Sequence, residues 1–213
     1  FRMERSYRYL GYFLLLLLPL IALGFHQSYG SKIPDFEPGF DPFIHVHAIL
    51  ATLWVAMIIS QPFLIANKKF ELHRIIGKIS YVIFPLLVLS FVPAWIKIIK
   101  SGVYENLFFS LGDCVLLTTF YSLSIFYRHQ SAKHMRFMIA ATLVLLGPTI
   151  GRIGPIVFGL DMIVTQTVQY AIIFLILIAL VIYDHSNKRD HKPYRFSLAA
   201  FSLHALIFYL IFA

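Results

Sequence analysis

Cysteine is almost absent from this chain: Cys114 is the only one among its 213 residues. That excludes an intramolecular disulfide and any cysteine-based metal motif. Charge is scarce too. Asp, Glu, Lys and Arg make up 13% of the residues against 59% hydrophobic ones, and the mean hydropathy is +0.78. A chain so apolar is not a soluble domain of this size. The sequence has no low-complexity segment and no internal repeat, so an inverted-repeat transporter gains no support. No His-Glu-x-x-His occurs, which removes the commonest zinc-hydrolase signature.

What the chain does have is long apolar runs. A bilayer core of about 30 Å takes roughly 20 apolar residues as helix. Seven stretches meet or approach that length: Tyr9–Phe25, Phe43–Ala66, Ile75–Ile99, Leu107–Tyr127, Phe137–Phe158, Met162–Tyr183 and Phe196–Phe212. The expected fold is an all-α, polytopic bundle of seven transmembrane helices. It forms one domain over residues 1–213, with the lipid bilayer as its first partner. The first run lacks a small-residue cleavage site and is expected to stay as a helix.

Basic residues set the orientation. The N-terminus and the gaps after the second, fourth and sixth stretches hold Arg2, Arg5, Arg8, Lys68, Lys69, Arg74, Lys78, Arg128, Lys133, Arg136, Lys188, Arg189, Lys192 and Arg195. The opposite side holds only Lys32, Lys97, Lys100 and Arg152. The N-terminus is therefore expected in the cytoplasm and the C-terminus outside. The net charge of +8 then reads as a collar facing anionic headgroups, not as a nucleic-acid surface. The longest loop, His26 to Asp41, carries Tyr29, Gly30, Pro34, Asp35, Glu37, Pro38 and Gly39. Its turn formers and acids fit either an ordered cap or a solvated loop.

Six prolines, Pro19, Pro62, Pro85, Pro93, Pro148 and Pro155, fall inside the apolar runs, where each tends to kink a helix. Gly147, Gly151 and Gly154 crowd the same region as the last two. Small residues one turn apart let another backbone, or a flat cofactor, come close.

Nine histidines are many for so apolar a chain. His129, His185 and His191 fall in or beside basic loops and read as solvated. His26, His45, His47, His73, His134 and His204 fall at helix ends or within helices, where ionisable groups are functional candidates. His45 and His47 are about 200° apart on a helix, so only one points inward. His47, Trp54 and Gln61 recur every seven residues on one stripe, which favours His47. His73 and His134 begin two helices on the same, inner side. His73 is followed one turn later by Gly77 and then Tyr81, an axial nitrogen above a bare backbone patch. Arg74 and Arg136 stand beside the two histidines as partners for propionates. A level pair on facing helices is what bis-histidine haem ligation needs. Interfacial anchoring of both histidines is the competing reading. Asp113, Arg152, Gln166 and Gln169 fall in the outer halves of their helices, with Asp161 and Thr165 on the Gln169 face. They either neutralise one another or line, with His47 and Gln61, an outer cavity for a quinone headgroup, a carboxylate or a metal.

The run from His47 and Gln61 to His73-Arg74-x-x-Gly77-x-x-Tyr81, with His134-Met135-Arg136-Phe137-Met138 and Arg152, resembles a family of bacterial multi-pass membrane proteins of unknown function. It spans about half the chain and departs from the pattern at Ala140, where the family is expected to carry arginine. The histidine placement is more loosely similar to four-helix b-type cytochromes, including membrane ferric and ascorbate-dependent reductases. That likeness implies haem b and electron transfer, and the bacterial likeness implies the inner membrane.

Three functions compete. The first is a membrane redox protein with haem b on His73 and His134, exchanging electrons with a quinone-like molecule in the outer cavity. The second is a hydrolase with zinc on His47, His204 and Asp113 or His26. The third is a non-catalytic sensor or assembly factor. A retinal pigment is disfavoured, because Phe196–Phe212 holds no lysine. A reporter fused after Ala213 should read as periplasmic and one within residues 187–193 as cytoplasmic; the opposite readings would overturn the orientation.

Overall fold

The computed structural model describes residues 7–36 and 40–213. Arg2, Arg5, Glu37, Pro38 and Gly39 lie outside the described residues. Every regular element among the described residues is helical. Six helices are long and apolar enough to cross a membrane: Pro42–Ala66, Phe70–Ser101, Leu107–Phe126, Ser131–Phe158, Met162–Ser186 and Lys192–Phe212. Leu10–His26 is apolar but shorter.

Proline explains where the helices break. The ring clashes with the carbonyl four residues earlier and removes the hydrogen bond it would have received. Counting back four residues from Pro19 gives Leu15, and the helix there splits into α1 (Leu10–Leu14) and α2 (Leu17–His26). Four before Pro93 is Leu89, where α4 (Phe70–Leu89) gives way to α5 (Val92–Ser101). Four before Pro148 is Val144, where α7 (Ser131–Val144) gives way to α8 (Leu146–Phe158). Pro62, Pro85 and Pro155 leave α3 (Pro42–Ala66), α4 and α8 continuous. The first stretch is therefore two short pieces and not one even helix.

Helix ends also extend past the apolar windows. The third span begins at Phe70 instead of Ile75, and the fifth at Ser131 instead of Phe137. A hydropathy window stops at the first charges, whereas the hydrogen-bonded helix continues into the headgroup layer. Asp41 caps α3 by accepting from the Phe43 amide at 2.9 Å, and it pairs with Lys97. The Lys97 ammonium and the Phe43 N–H hold the Asp41 carboxyl below the usual carboxylate range. Its contribution is present at neutral pH and fades as pH falls through that lowered value.

The chain forms two compact units, Phe1–Tyr104 and Glu105–Ala213. In the first, α1 and α4 pack on α3. Gly11 admits the Phe63 ring, whose nearest atoms lie 2.9 Å from where a Cβ would stand. In the second, α6 (Glu105–Phe126) packs on α7, α8 on α9 (Met162–Ser186), α9 on α10 (Lys192–Phe212), and α10 on α6 and α7. Four spans thus close into a ring. Large side chains such as Leu175 and Leu210 are exposed, as a lipid-facing surface requires.

At one end of the second unit, Arg136 and Asp184 are 0% exposed and joined Nε to Oδ2 at 2.7 Å. Arg136 also donates to the Ala132 carbonyl at 3.0 Å and stands over the Tyr194 ring. The pair ties α7 to α9. Lys133 and Asp190 come within 3.9 Å at the same end, so the loops before α7 and before α10 share one side of this unit. Asp184→Asn should destabilise the purified protein by roughly 3–5 kcal/mol, because a buried guanidinium loses its counter-charge. Arg136→Met combined with Asp184→Leu should recover most of that loss in detergent thermal melts.

Candidate functional site

Several buried polar residues of the second unit gather where α6, α8, α9 and α10 meet. Glycine makes this possible. A Cβ on Gly147 of α8 would stand 2.5 Å from Asp113 Oδ2 on α6. One on Gly151 would meet Gln166 Nε2 at 3.4 Å, and one on Gly154 would overlap Thr165, both on α9. One on Gly112 of α6 would overlap His204 Nε2 on α10. Between α9 and α10, Tyr170 Oη meets His204 Nδ1 at 2.9 Å. The contacts run α6 to α8, α8 to α9, α9 to α10 and back to α6. Because α8 and α9 are antiparallel, the Gly154–Thr165 and Gly151–Gln166 contacts set Gly147 level with Gln169 and Tyr170. Asp113, Gln169, Tyr170 and His204 therefore share one depth, beside the break between α7 and α8.

The electrostatics of the layer are simple. Arg152 is the opposite charge acting on Asp113. Its Nη1 also donates to the Pro148 carbonyl at 2.7 Å, one turn earlier in its own helix. Asp161 does not contribute. It caps α9 by accepting from the Val164 amide at 2.9 Å.

Hydrogen bonding is uneven across the unit. Ser124, Thr142, Thr149 and Ser197 are buried and bonded. Three buried atoms have no hydrogen-bond partner: Thr165 Oγ1, Gln169 Oε1 and His204 Nε2. Their residues are 2%, 3% and 9% exposed. A lost partner costs roughly 1–3 kcal/mol for each such group. Aromatic rings flank His204 and Tyr170. Phe108 stacks on His204 at 4.8 Å, and Phe208, Phe109, Phe212 and Tyr209 continue the cluster around Tyr170.

His134 is held firmly. Its Nδ1 meets Ser124 Oγ at 2.9 Å and the Ser124 carbonyl oxygen at 3.0 Å. A carbonyl only accepts, so Nδ1 carries the proton and Nε2 presents its lone pair. Arg136, expected to meet a cofactor, is committed to Asp184. His73, Arg74, Gly77 and Tyr81 lie on α4 in the first unit. Arg74 and Tyr81 are exposed and His73 is half-buried. Nothing stands within 4 Å of a Cβ built on Gly77, leaving that patch bare.

In the first unit His45 and His47 diverge as their spacing requires. His45 Nδ1 bonds Tyr29 Oη at 2.9 Å, inside a ring cluster with Phe36 and Phe40. The described part of the loop between His26 and Asp41 thereby packs on α3. His47 Nδ1 bonds Ser90 Oγ at 2.8 Å and leans on Phe91. Gln61 shares the stripe of buried Trp54, and both its amide atoms are buried without a hydrogen-bond partner. His47 and Gln61 thus belong to one unit, and Asp113, Arg152, Gln166, Gln169 and His204 to the other. His26 is exposed. Among the described residues no group of three His, Cys, Asp or Glu is arranged to hold a metal ion.

Two important residues escaped the sequence reading. Tyr170 lies one turn from Gln166, and Asp184 one heptad beyond buried Leu177, so both continue the buried stripe of α9. Helical spacing would have found them. No protein-family model, curated protein or solved structure matches this chain.

The glycine contacts make opposite predictions for one substitution type. Gly147→Ala should destabilise by about 1–3 kcal/mol, since the methyl group displaces the Asp113 carboxylate. Gly77→Ala should be neutral or stabilise by up to about 1 kcal/mol. Thermal melts of the two purified variants decide; equal effects would contradict the packing described.

Proposed function

We propose that this chain is an integral membrane redox protein whose second unit binds a small lipophilic molecule of quinone type. The observation that carries the reading is the set of unpartnered polar atoms, Thr165 Oγ1, Gln169 Oε1 and His204 Nε2, with aromatic side chains packed on the His204 and Tyr170 side. A quinone ring offers oxygens to such atoms and an apolar face to such rings. The adjacent helix break adds support, because membrane proteins build ligand sites at discontinuous helices. Asp113, Arg152 and Gln166 stand beside these atoms and complete the polar wall.

Haem b belongs to the same proposal, with His134 as a residue that would hold it, and is favoured by the geometry at His134. Ligating histidines typically donate their other nitrogen to a carbonyl or carboxylate, which fixes the ring and its tautomer. His134 does so toward Ser124. When bound, haem would supply one-electron chemistry, and His134 Nε2 would help to hold its iron. The motif resemblance and the orientation expected from Lys and Arg placement add to the reading: haem toward the cytoplasm, quinone toward the outside. The zinc reading gains no such observation.

Two measurements on protein purified from haem-replete cells test the proposal. Organic-solvent extracts should contain a quinone near one equivalent, and the visible spectrum should show a Soret band that sharpens on reduction. His134→Ala should abolish that band while His129→Ala leaves it. A colourless preparation would remove the haem, and quinone-free extracts that cannot be reloaded with added quinone would remove the lipophilic-ligand reading.

A further inference from the structure

His204 and Tyr170 share one bond with an unusual property. The phenol has one proton and the neutral imidazole has one N–H, so a single proton lies on the line between Tyr170 Oη and His204 Nδ1. If the phenol donates, the imidazole proton sits on Nε2, which is then a donor. If Nδ1 donates, Nε2 is an acceptor. The distance of 2.9 Å suits both. Passing from the first arrangement to the second moves the Nε2 proton to Nδ1 and turns the phenol hydrogen away from the imidazole. Either polarity can therefore stand at Nε2 with no change in net charge, which matters where lipid excludes water.

The position of Nε2 makes this consequential. It is buried without a hydrogen-bond partner and reaches the backbone of α6 only because residue 112 is glycine. Phe108 covers one face of the imidazole and the Tyr170 ring stands edge-on to it, so the ring is held in place while the proton arrangement is free. On α9, Gln169 Oε1 is a fixed acceptor at the same depth.

We infer that His204 and Tyr170 form a reversible donor–acceptor dyad that binds one oxygen of a quinone in its oxidised form and of the corresponding hydroquinone in its reduced form. A quinone carbonyl only accepts, and a hydroquinone hydroxyl donates. At one position the dyad can offer the donor that the carbonyl needs or the acceptor that the hydroxyl proton needs. Gln169 Oε1 then favours the reduced form, as an acceptor for hydroxyl only. The inference rests on the proposed quinone reading and assigns to it the head-group contact, which the sequence alone placed on His47, Gln61, Asp113, Arg152, Gln166 and Gln169.

The test uses the full-length protein in lipid nanodiscs with ubiquinone-1, and separately with its hydroquinone under anaerobic conditions, by isothermal titration calorimetry. Wild type should bind both forms with similar affinity. His204→Phe should weaken both by roughly tenfold or more, the effect of losing a buried hydrogen bond. Tyr170→Phe removes one oxygen and keeps the ring. It frees the imidazole from the shared proton, and the ratio of hydroquinone to quinone affinity should change by roughly tenfold. Gln169→Leu should weaken the hydroquinone more than the quinone. If His204→Phe does not fold, the Tyr170→Phe ratio decides alone. Binding unchanged in ratio by Tyr170→Phe overturns the dyad while leaving a quinone site elsewhere in the protein. Absence of binding of either form to wild type overturns both the dyad and the reading beneath it.

Discussion

Lipid offers nothing to hydrogen bond. Inside it, every polar group must find its partner within the protein, and each failure costs free energy that water would otherwise recover. The second unit obeys this rule nearly everywhere. Arg136 and Asp184 satisfy each other in complete burial. Ser197 bonds the Pro193 carbonyl, Thr142 the Met138 carbonyl, and Thr149 the Leu145 and Leu146 carbonyls just past the α7–α8 break. Against that background the orphan atoms of Thr165, Gln169 and His204 carry information. The bundle meets the demand consistently at its end and leaves it unmet at these three atoms among the described residues.

The same residues that shape the bundle create the layer. Pro148 interrupts the helix at its fourth preceding residue, and Gly147, Gly151 and Gly154 line the segment that follows. Gly147 and Gly154 each admit a polar side chain that a methyl group would displace, and Gly151 brings Gln166 into ordinary contact. Packing and chemistry are thus coupled at single positions. The close approach of the helices is what desolvates Asp113 and Thr165, and their polarity is what makes the glycines indispensable.

Much of this was legible before any coordinates. Apolar run length gives the spans from Pro42 onward, because the membrane sets helix length directly. It overstated the first, because hydropathy does not register a helix broken at Leu15 and Leu16 by Pro19. Asp113, Arg152, Gln166 and Gln169 were identifiable as a set, since polar residues in long apolar runs are rare enough to stand out. Asp184 was lost among charged neighbours at a helix end, and Tyr170 among many aromatics, although both fall on the buried stripe of α9. The committed role of Arg136 was not legible at all. Sequence position placed it beside His134, but only the fold brings Asp184, 48 residues away, against its guanidinium. Sequence likewise assigns His73 and His134 to corresponding helix ends, whereas the direction of each imidazole is decided by local bonds such as that from His134 to Ser124.

The central claim is that the polar layer is a ligand site and not merely an imperfectly satisfied core. The most direct measurement is an electron cryo-microscopy map of the protein extracted with its native lipids, at a resolution that shows side chains. The account predicts density from a bound molecule within hydrogen-bonding distance of His204 Nε2 and Gln169 Oε1, in contact with the Phe108 side of the layer. A layer with no density from a bound molecule beside His204 Nε2 or Gln169 Oε1 would contradict it.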